Sequence, residues 1–503
     1  MGLAYNIFTA VFASIGAFLF GYDSGVIASV LTFPSFTNQF GFHSSDDPRS
    51  SAVVATFTGG CFFGAAAAGW SSDRLGRKRT IQIGCLWALL GCALQAGGSN
   101  IATLMVGRII AGFAIGILSM VVPLYNTEIA PPKIRGFIVG LAQQMIGIGF
   151  IAANWVGYGC QFFGPTDNRQ WRIPLGLQLV PAFVLLVGIQ FLPFSPRWLI
   201  EQDRDDEARA VVYKLHGANS HSELAPAAEE EFLDMQSTIR AEFLTRSRSL
   251  SDLYSTAPNR RRLVVACGVQ IFGQFTGINV INYFGPQMYQ ALGLENNKLL
   301  LVQGIYGAVG PITNLIFIIF ILDRIGRKKP LLFGAASLTA LFAVLAAIVA
   351  SFPPSAEGST NLAAQKAGIA VIFMMSIVFS LSFGPVSWVL ASEIFPTRSR
   401  GMGVSVATCC NWLLNVLISE VSPIGMGHVG WRYYILFIAL NAFDFIFILL
   451  FFPETKGKTL EEMAVLFGDS VDAVDILGAH KGHMQSQSQD KPSDEEFEES
   501  ARV

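Results

Sequence analysis

A six-residue sequence rich in charge occurs twice in this chain of 503 residues. Asp73–Lys78 reads DRLGRK, and Asp323–Lys328 reads DRIGRK, 250 residues later. Two further pairs of motifs are separated by similar distances. EIAP at Glu128 is repeated as EIFP at Glu393, 265 residues later, and PFSPR at Pro193 is repeated more loosely as PETKG at Pro453, 260 residues later. One half of the chain therefore copies the other, so the fold must be built from two similar halves.

Apolar runs fill most of both halves. Only 14% of the residues are charged, 52% are hydrophobic, and the mean hydropathy is +0.48. Runs of roughly 20 apolar residues suit the thickness of a bilayer core. They lie at 7–31, 51–71, 80–98, 101–124, 136–159, 174–193, 263–290, 298–322, 330–351, 366–391, 401–421 and 430–452. The sequence predicts an all-α membrane protein whose twelve transmembrane helices form an N-terminal half, 1–193, and a C-terminal half, 263–452.

Two polar stretches lie outside these runs. Residues 194–262 carry mixed charges at helical spacing and predict a cytoplasmic central loop of short helices. Residues 453–503 predict a cytoplasmic tail that is largely disordered. The orientation follows from Lys and Arg, of which the short inside loops hold 12 and the outside loops 6 if both ends are cytoplasmic. The first run is too long for a signal peptide, so we expect it to remain as helix 1.

Several classes of function find little support in the sequence. A net charge of −2 offers no basic surface for nucleic acid. The seven cysteines have neither metal-ligand nor disulfide-framework spacing. No nucleophile–base pair and no phosphate-binding loop in a strand-to-helix context is evident. We therefore expect no enzymatic activity, cofactor or metal.

An ordered set of motifs carries a family resemblance. They are Gly21-Tyr22-Asp23, Gly69 through Lys78, Arg108-x-x-x-Gly112-x-x-x-Gly116, Pro123-x-Tyr125-x-x-Glu128, Gln274-x-x-Gly277-Ile278-Asn279, Gly384-Pro385-x-x-Trp388 and Pro453 through Gly457. The chain resembles the sugar porter family of the major facilitator superfamily, and most of all its fungal proton-coupled monosaccharide transporters. The resemblance covers residues 7 to about 463. It implies alternating access to a site between the two halves, a plasma-membrane location, and a chain that functions as a monomer.

Two opposite charges lie inside the apolar runs of the N-terminal half. Arg108 shares one face of helix 4 with Gly112 and Gly116, and burying it costs about 3 kcal/mol unless a partner receives it. Asp23 is the one carboxylate deep in a helix of that half. We therefore expect Asp23 and Arg108 to pair. The resemblance assigns the transported proton to this aspartate, and the alternative is a permanent ion pair that never titrates.

Amides and aromatic side chains predict a site for a neutral polyol. Asn and Gln both donate and accept hydrogen bonds without a charge to desolvate. The resemblance assigns sugar contacts to Gln143, Gln274, Asn279, Trp388, Trp412 and Asn415. Polar links between helices are the alternative role for such residues, above all for Asn154 and Asn282.

Charged residues at the helix ends form candidate gates. The basic residues of the repeated motif can reach the nearby acids and close the inner side, although they can also serve as topology anchors alone. The candidates are Asp73, Arg74, Arg77, Glu128, Arg135, Asp323, Arg324, Arg327, Glu393, Arg400 and Glu454. Phe194 stands where the family usually has glutamate, so the N-terminal half lacks the acid that Glu454 supplies in the other half.

Three departures from the family pattern reduce the hydrogen-bonding groups of the C-terminal half. Gly273 replaces the first of two adjacent glutamines, Pro311 stands where an asparagine is usual, and Ser380 stands where some relatives have glutamate. The expected substrate is a monosaccharide, a polyol or a sugar acid, moved together with a proton. The alternatives are passive sugar uniport and a sugar sensor that does not transport, although sensors tend to have longer cytoplasmic tails. Asp444 in helix 12 has no partner that the sequence identifies.

Overall fold

The structure, a computed structural model, describes residues 2–41, 48–131, 134–218, 224–245, 250–294, 298–352, 361–456 and 462–468. The regular secondary structure within these ranges is helical, without strands. The predicted disorder of the tail after residue 468 and the side chain of Asp323 lie outside the described part.

Within the described ranges, eleven helical segments are long and apolar enough to cross a membrane. The first ten are span 1 (Leu3–Val30), span 2 (Arg49–Leu75), span 3 (Arg77–Gly97), span 4 (Ile101–Ile129), span 5 (Arg135–Cys160), span 6 (Arg169–Phe191), span 7 (Ala257–Ala291), span 8 (Lys298–Phe320), span 9 (Lys328–Ser351) and span 10 (Leu362–Glu393). The eleventh, Ser399–Phe451, contains two helices, span 11 (Thr397–Val429) and span 12 (Tyr433–Phe451). A turn at Gly430–Arg432 separates them. The predicted twelve spans in two halves are confirmed.

Two spans of the C-terminal half are broken near their middle. Span 7 consists of Ala257–Phe275 and Ile278–Ala291, and Gly277 between them has a φ of +71°. Glycine adopts this left-handed conformation without the strain that a side chain would introduce. Span 10 breaks at Ser382, where φ is −142° and ψ is −101°. Both breaks let the spans change direction and aim polar side chains inward.

Close packing of spans 2 and 4 fixes the N-terminal half. A Cβ on Gly112 would lie 2.1 Å from the Phe57 carbonyl oxygen, and one on Gly116 would lie 2.1 Å from the Cys61 carbonyl oxygen. Only glycine lets the two backbones approach this closely. Span 4 is therefore held against span 2, and Arg108 is held in the same interface.

Short helices join the halves at the end of the bundle that carries the two DRxGRK motifs, here called the basic end. They are Pro196–Glu201, Asp205–His216, Ala225–Thr245 and Asp252–Ser255. Trp198, Phe232 and Ile239 form their small apolar core. The Glu242 carboxylate accepts a hydrogen bond from the Thr397 backbone N–H at the start of span 11, at 3.3 Å. The connecting helices therefore contact the C-terminal half directly.

Candidate functional site

A cavity of about 60 Å³ lies between the two halves, among spans 5, 7, 8 and 10. Its polar lining consists of Gln143, Asn154, Asn282, Tyr306, Asn314, Ser376 and Ser380. Its apolar lining includes Phe150, Pro311 and Phe379. This volume holds a few water molecules, so a sugar ring requires the halves to move apart. Of the six predicted sugar contacts, Gln143 borders this cavity.

A chain of amides runs from the cavity into span 7 and on to span 11. The Tyr306 hydroxyl donates to Asn282 Oδ1 at 3.2 Å, and Asn282 Nδ2 donates to Asn279 Oδ1 at 3.4 Å. Asn279 Nδ2 donates to Gln274 Oε1 at 2.8 Å, and Gln274 Nε2 donates to Asn411 Oδ1 at 2.7 Å. In this conformation the predicted contacts Gln274 and Asn279 bind each other. A substrate hydroxyl that enters must replace one of these bonds.

The remaining predicted contacts are buried near the boundary between the halves. The indole of Trp412 donates to the Ser119 hydroxyl at 3.2 Å and packs edge-on against Phe20, with ring centroids 5.1 Å apart. Asn415 is 1% exposed, and its side chain faces the Tyr283 hydroxyl. Trp388 is buried in the second helix of span 10, one turn beyond Gly384. The aromatic faces are thus present, but they are covered by protein.

Asp23 and Arg108 are in direct contact. Arg108 Nη1 lies 2.9 Å from Asp23 Oδ1, and both side chains are buried. The guanidinium also donates from Nε to the Val53 carbonyl oxygen at 3.3 Å and lies 4.3 Å from the centre of the Phe57 ring. The hydrogen-bond network turns the amide nitrogen of Gln178 toward the carboxylate, where it donates to Oδ1 at 3.0 Å and to Oδ2 at 3.2 Å. The carboxylate therefore joins spans 1, 4 and 6.

Repeated charge clusters lie at the basic end. In the N-terminal half, Arg77 Nη2 contacts Glu128 Oε1 at 2.7 Å and Arg77 Nη1 lies 3.8 Å from Asp73. In the C-terminal half, Arg327 Nη2 contacts Glu393 Oε1 at 3.1 Å. Each cluster joins the start of the span that follows its DRxGRK motif to the end of the next span. These are spans 3 and 4 in the N-terminal half and spans 9 and 10 in the C-terminal half.

The other candidate gating residues differ in their surroundings. Arg400 is buried and donates to the Phe395 carbonyl oxygen from Nε and Nη2, both at 3.1 Å. Arg135 is 7% exposed at the start of span 5. Arg74 and Arg324 are exposed. The structure therefore does not bring Arg74 or Arg324 into the buried clusters.

Glu454 and Phe194 produce different links in the two halves. The Glu454 carboxylate accepts from three backbone N–H groups, those of Arg327 at 2.9 Å, Lys328 at 3.2 Å and Lys456 at 3.0 Å. Phe194 instead stacks on Trp198 at 5.6 Å, and the Lys78 ammonium lies 5.0 Å from the Phe194 ring centre. A carboxylate clamp in one half therefore corresponds to an aromatic contact with a cation in the other.

The two halves touch each other directly at the basic end. The Ser405 hydroxyl of span 11 donates to the Ala65 carbonyl oxygen of span 2 at 2.7 Å. The Thr127 hydroxyl of span 4 lies 3.0 Å from the Ser392 hydroxyl of span 10. Arg197 Nη1 donates to the Thr397 hydroxyl at 3.2 Å. These bonds close the basic end in this conformation.

Sequence reasoning missed two polar residues of the site. The first is Gln178, whose side-chain amide contacts Asp23. The second is Gln144, which accepts a hydrogen bond from Asn314 Nδ2 at 2.9 Å and joins span 5 to span 8 across the halves. For Gln178, the available signal was an uncharged polar residue alone in an apolar stretch of span 6. Polar residues inside a membrane are costly to bury, so each such residue marks a contact or a path.

Comparison with known proteins decides the family. The family model for sugar (and other) transporters matches residues 9–467. The chain belongs to the sugar transporter family. It is therefore a multi-pass membrane protein of a transporter family, of the major facilitator fold. The predicted resemblance is confirmed.

Two curated fungal proteins and two structures of one bacterial protein illustrate this membership. The chain is 38% identical over 469 residues to the MFS-type transporter criB of Aspergillus cristatus, covering 93% of this chain and 95% of that protein. It is 32% identical to the MFS glucose transporter mfs1 of Aspergillus flavus, covering 93% and 91%. It is 26% identical to the proton:xylose symporter XylE bound to 6-bromo-6-deoxy-D-glucose, with a TM-score of 0.80 and coverage of 92% and 100%. The inward-open structure of XylE from E. coli gives a TM-score of 0.68, so this conformation is closer to the sugar-bound one.

Proposed function

We propose that this protein is a proton symporter that moves a monosaccharide, or a related polyol or sugar acid, across the plasma membrane by alternating access. The observation that carries the proposal is the buried contact between Asp23 and Arg108 at 2.9 Å. Burying an ion pair inside the membrane is costly, so such a pair is expected where function requires it. The contact lies between spans 1 and 4, so its loss on protonation frees these spans from each other.

The coupling follows from the charge of Asp23. While it is ionised, Asp23 attracts Arg108 and accepts from Gln178. A proton from the outer side removes the attraction and lets the halves rearrange around bound substrate. On the inner side, the positive charge of Arg108 favours release of the proton. The similarity in fold to XylE, a proton:xylose symporter, supports this assignment.

The amide chain supports a neutral, hydroxylated substrate. Gln274, Asn279 and Asn282 offer both donors and acceptors in a row beside the cavity. Each hydroxyl that replaces an amide–amide bond exchanges one hydrogen bond for another, so entry leaves no buried group unpaired. The glycine at 273 and the proline at 311 supply no side-chain amide, which favours a ring with fewer hydroxyls on that side than a hexose.

The closed basic end corresponds to the cytoplasmic side in this proposal. The Lys and Arg bias of the short loops predicts this orientation. The candidate gating residues Arg77, Glu128, Arg327 and Glu393 hold each half rigid at that end, while Ser405 and Arg197 join the halves. Opening toward the cytoplasm then requires the bonds between the halves to break, and the clusters within each half can remain.

Uptake in a host without its own sugar transporters tests the proposal. Uptake of a panel of labelled sugars, polyols and sugar acids should identify a substrate that accumulates against its gradient. This accumulation should disappear when a protonophore is added. Asp23→Asn should still exchange labelled substrate but lose accumulation, because the neutral amide holds no transported proton. The matched control is Asp167→Asn, which removes a partly exposed carboxylate paired with Arg169 at 2.8 Å. Unchanged accumulation by Asp23→Asn would leave passive uniport or a permanent ion pair as the better explanation.

A further inference from the structure

Three buried oxygen atoms on span 12 lack a hydrogen-bond partner among the described residues. They are both carboxyl oxygens of Asp444 and Oδ1 of Asn441. Both residues are 0% exposed. Because they lie three positions apart on one helix, their side chains are neighbours on the same face. All three atoms are acceptors when Asp444 is ionised, so the cluster then contains no donor.

The charged residues on the neighbouring spans do not neutralise this carboxyl group. Spans 7, 9 and 11 pack against span 12. Their titratable residues with described side chains are Arg260, Arg261, Arg262, Cys267, Tyr283 and Tyr289 on span 7, Lys328 and Lys329 on span 9, and Arg400, Cys409, Cys410, Glu420 and His428 on span 11. Among the described residues, none of these side chains forms a hydrogen bond or an ion pair with Asp444. An ionised Asp444 would thus be an uncompensated charge in the interior of the half.

A proton satisfies the cluster. A carboxylate oxygen of Asp444 that binds a proton from water becomes an O–H donor. Asn441 Oδ1, three positions earlier on the same face, offers an acceptor that has no other donor among the described residues. One proton therefore removes the buried charge and pairs two of the three oxygen atoms.

Asn441 connects this cluster to the break in span 7. Its Nδ2 donates to the Phe275 carbonyl oxygen at 3.0 Å and to the Phe437 carbonyl oxygen at 2.8 Å. Phe275 is the last residue of the first helix of span 7, two residues before Gly277. Gln274, a member of the amide chain that reaches the cavity, is adjacent to Phe275. The side-chain amide of Asn441 therefore holds the backbone where span 7 bends.

A change in the charge of Asp444 would change which way this amide points. With Asp444 protonated, Asn441 Oδ1 accepts from the acid and Nδ2 remains on the Phe275 carbonyl. With Asp444 ionised, Oδ1 would face a carboxylate, and the amide would turn its Nδ2 toward that charge. The Phe275 carbonyl would then lose its donor. Protonation and the geometry of the span 7 bend are linked in this way.

We propose that Asp444 is a second proton-binding site, in the C-terminal half, and that it acts through Asn441 on the bend of span 7. The proton is the ligand, and Asp444 is a positioning residue for the substrate site. The effect on transport rests on the proposed function, but binding of the proton does not. The site is separate from Asp23, which lies in the other half.

Infrared difference spectroscopy on the purified full chain tests proton binding alone. The C=O stretching band of a protonated carboxylic acid should be present at neutral pH in the parent and in Asp23→Asn. It should be absent in Asp444→Asn, which is nearly the same size and has no acid. The same band in Asp444→Asn as in the parent would overturn the proposal whether or not the protein transports sugar.

Substrate affinity tests the link to span 7. Asp444→Leu removes the donor to Asn441 and should weaken substrate affinity by about five-fold or more, as expected for a buried group left unpaired. Asp444→Asn should restore most of that loss, because its amide can donate to Asn441 Oδ1. Parental affinity in Asp444→Leu, or no rescue by asparagine, would contradict the link while leaving the infrared result intact.

Discussion

The contact between spans 2 and 11 at the basic end gives a direct test of how the halves close. Gly69 on span 2 is buried against Ser405 on span 11, and a Cβ on Gly69 would lie 2.7 Å from the Ser405 Cβ and 2.8 Å from its hydroxyl oxygen. Carbon atoms in contact prefer about 3.5–4.0 Å. A rotation of the Ser405 side chain leaves its Cβ in place, so Gly69→Ala must push the two spans apart.

The magnitude follows from this overlap. Overpacking a close interface by one methyl group costs about 1–3 kcal/mol. Separation also weakens the bond from the Ser405 hydroxyl to the Ala65 carbonyl. The conformation that is open at the basic end does not contain this contact, so the added methyl group does not raise its free energy. The equilibrium should therefore shift toward the open state by about 5- to 150-fold.

Hydrogen–deuterium exchange measured by mass spectrometry in lipid nanodiscs reports this shift. Amides near the basic ends of spans 2 and 11 should exchange faster in Gly69→Ala. The matched control is Gly59→Ala on the same span, where a Cβ meets no atom within 4 Å. If both variants exchange like the parent, the two spans do not form the closing contact and this reasoning is refuted.

The remaining predictions concern the site, a clamp and the topology. Gln274→Ala and Asn279→Ala should each weaken uptake affinity by about five- to hundred-fold, because a hydroxyl is left unpaired; unchanged KM values with normal expression would place the site elsewhere. Gly326→Ala should lower the Tm relative to the control Gly427→Ala. Gly326 has a φ of +95°, and a Cβ there would lie 2.6 Å from a Glu454 carboxylate oxygen, whereas a Cβ on Gly427 meets open space. Equal Tm values for the two variants would contradict this. A reporter fused after Val503 should stay inaccessible from outside intact cells, and external labelling would reverse the predicted orientation.

The membrane spans were predictable because each is marked by one long, continuous run of apolar residues in the sequence. A run of roughly 20 apolar residues has few alternatives to a membrane helix. The helix ends were harder to place, because helices continue into water beyond the apolar run. Span 7 begins at Ala257, six residues before its apolar run, where the Thr256 hydroxyl caps it by accepting from the Asn259 N–H at 3.3 Å. Capping of this kind depends on local polar residues that a hydropathy pattern ignores.

Contacts inside the membrane were predictable when each partner had few alternatives. Asp23 and Arg108 are opposite charges in apolar helices of one half, so their contact follows from the cost of leaving either alone. The amides behave differently, because each can bond to many partners. Gln274 and Asn279 bond to each other in a closed conformation, and the sequence contains no information on which conformation is present. The residue types therefore indicated where the site lies, whereas the hydrogen-bond partners of each amide could be found only from the structure.

The two halves close at the basic end with different chemistry, although their sequences are repeated. Glu454 fixes its half through a carboxylate that accepts hydrogen bonds from three backbone N–H groups. Phe194 uses a stacked indole and a cation over its ring, which are contacts that do not depend on an acid. The repeat therefore keeps a contact at this position in both halves while changing its chemistry from a carboxylate clamp to an aromatic stack.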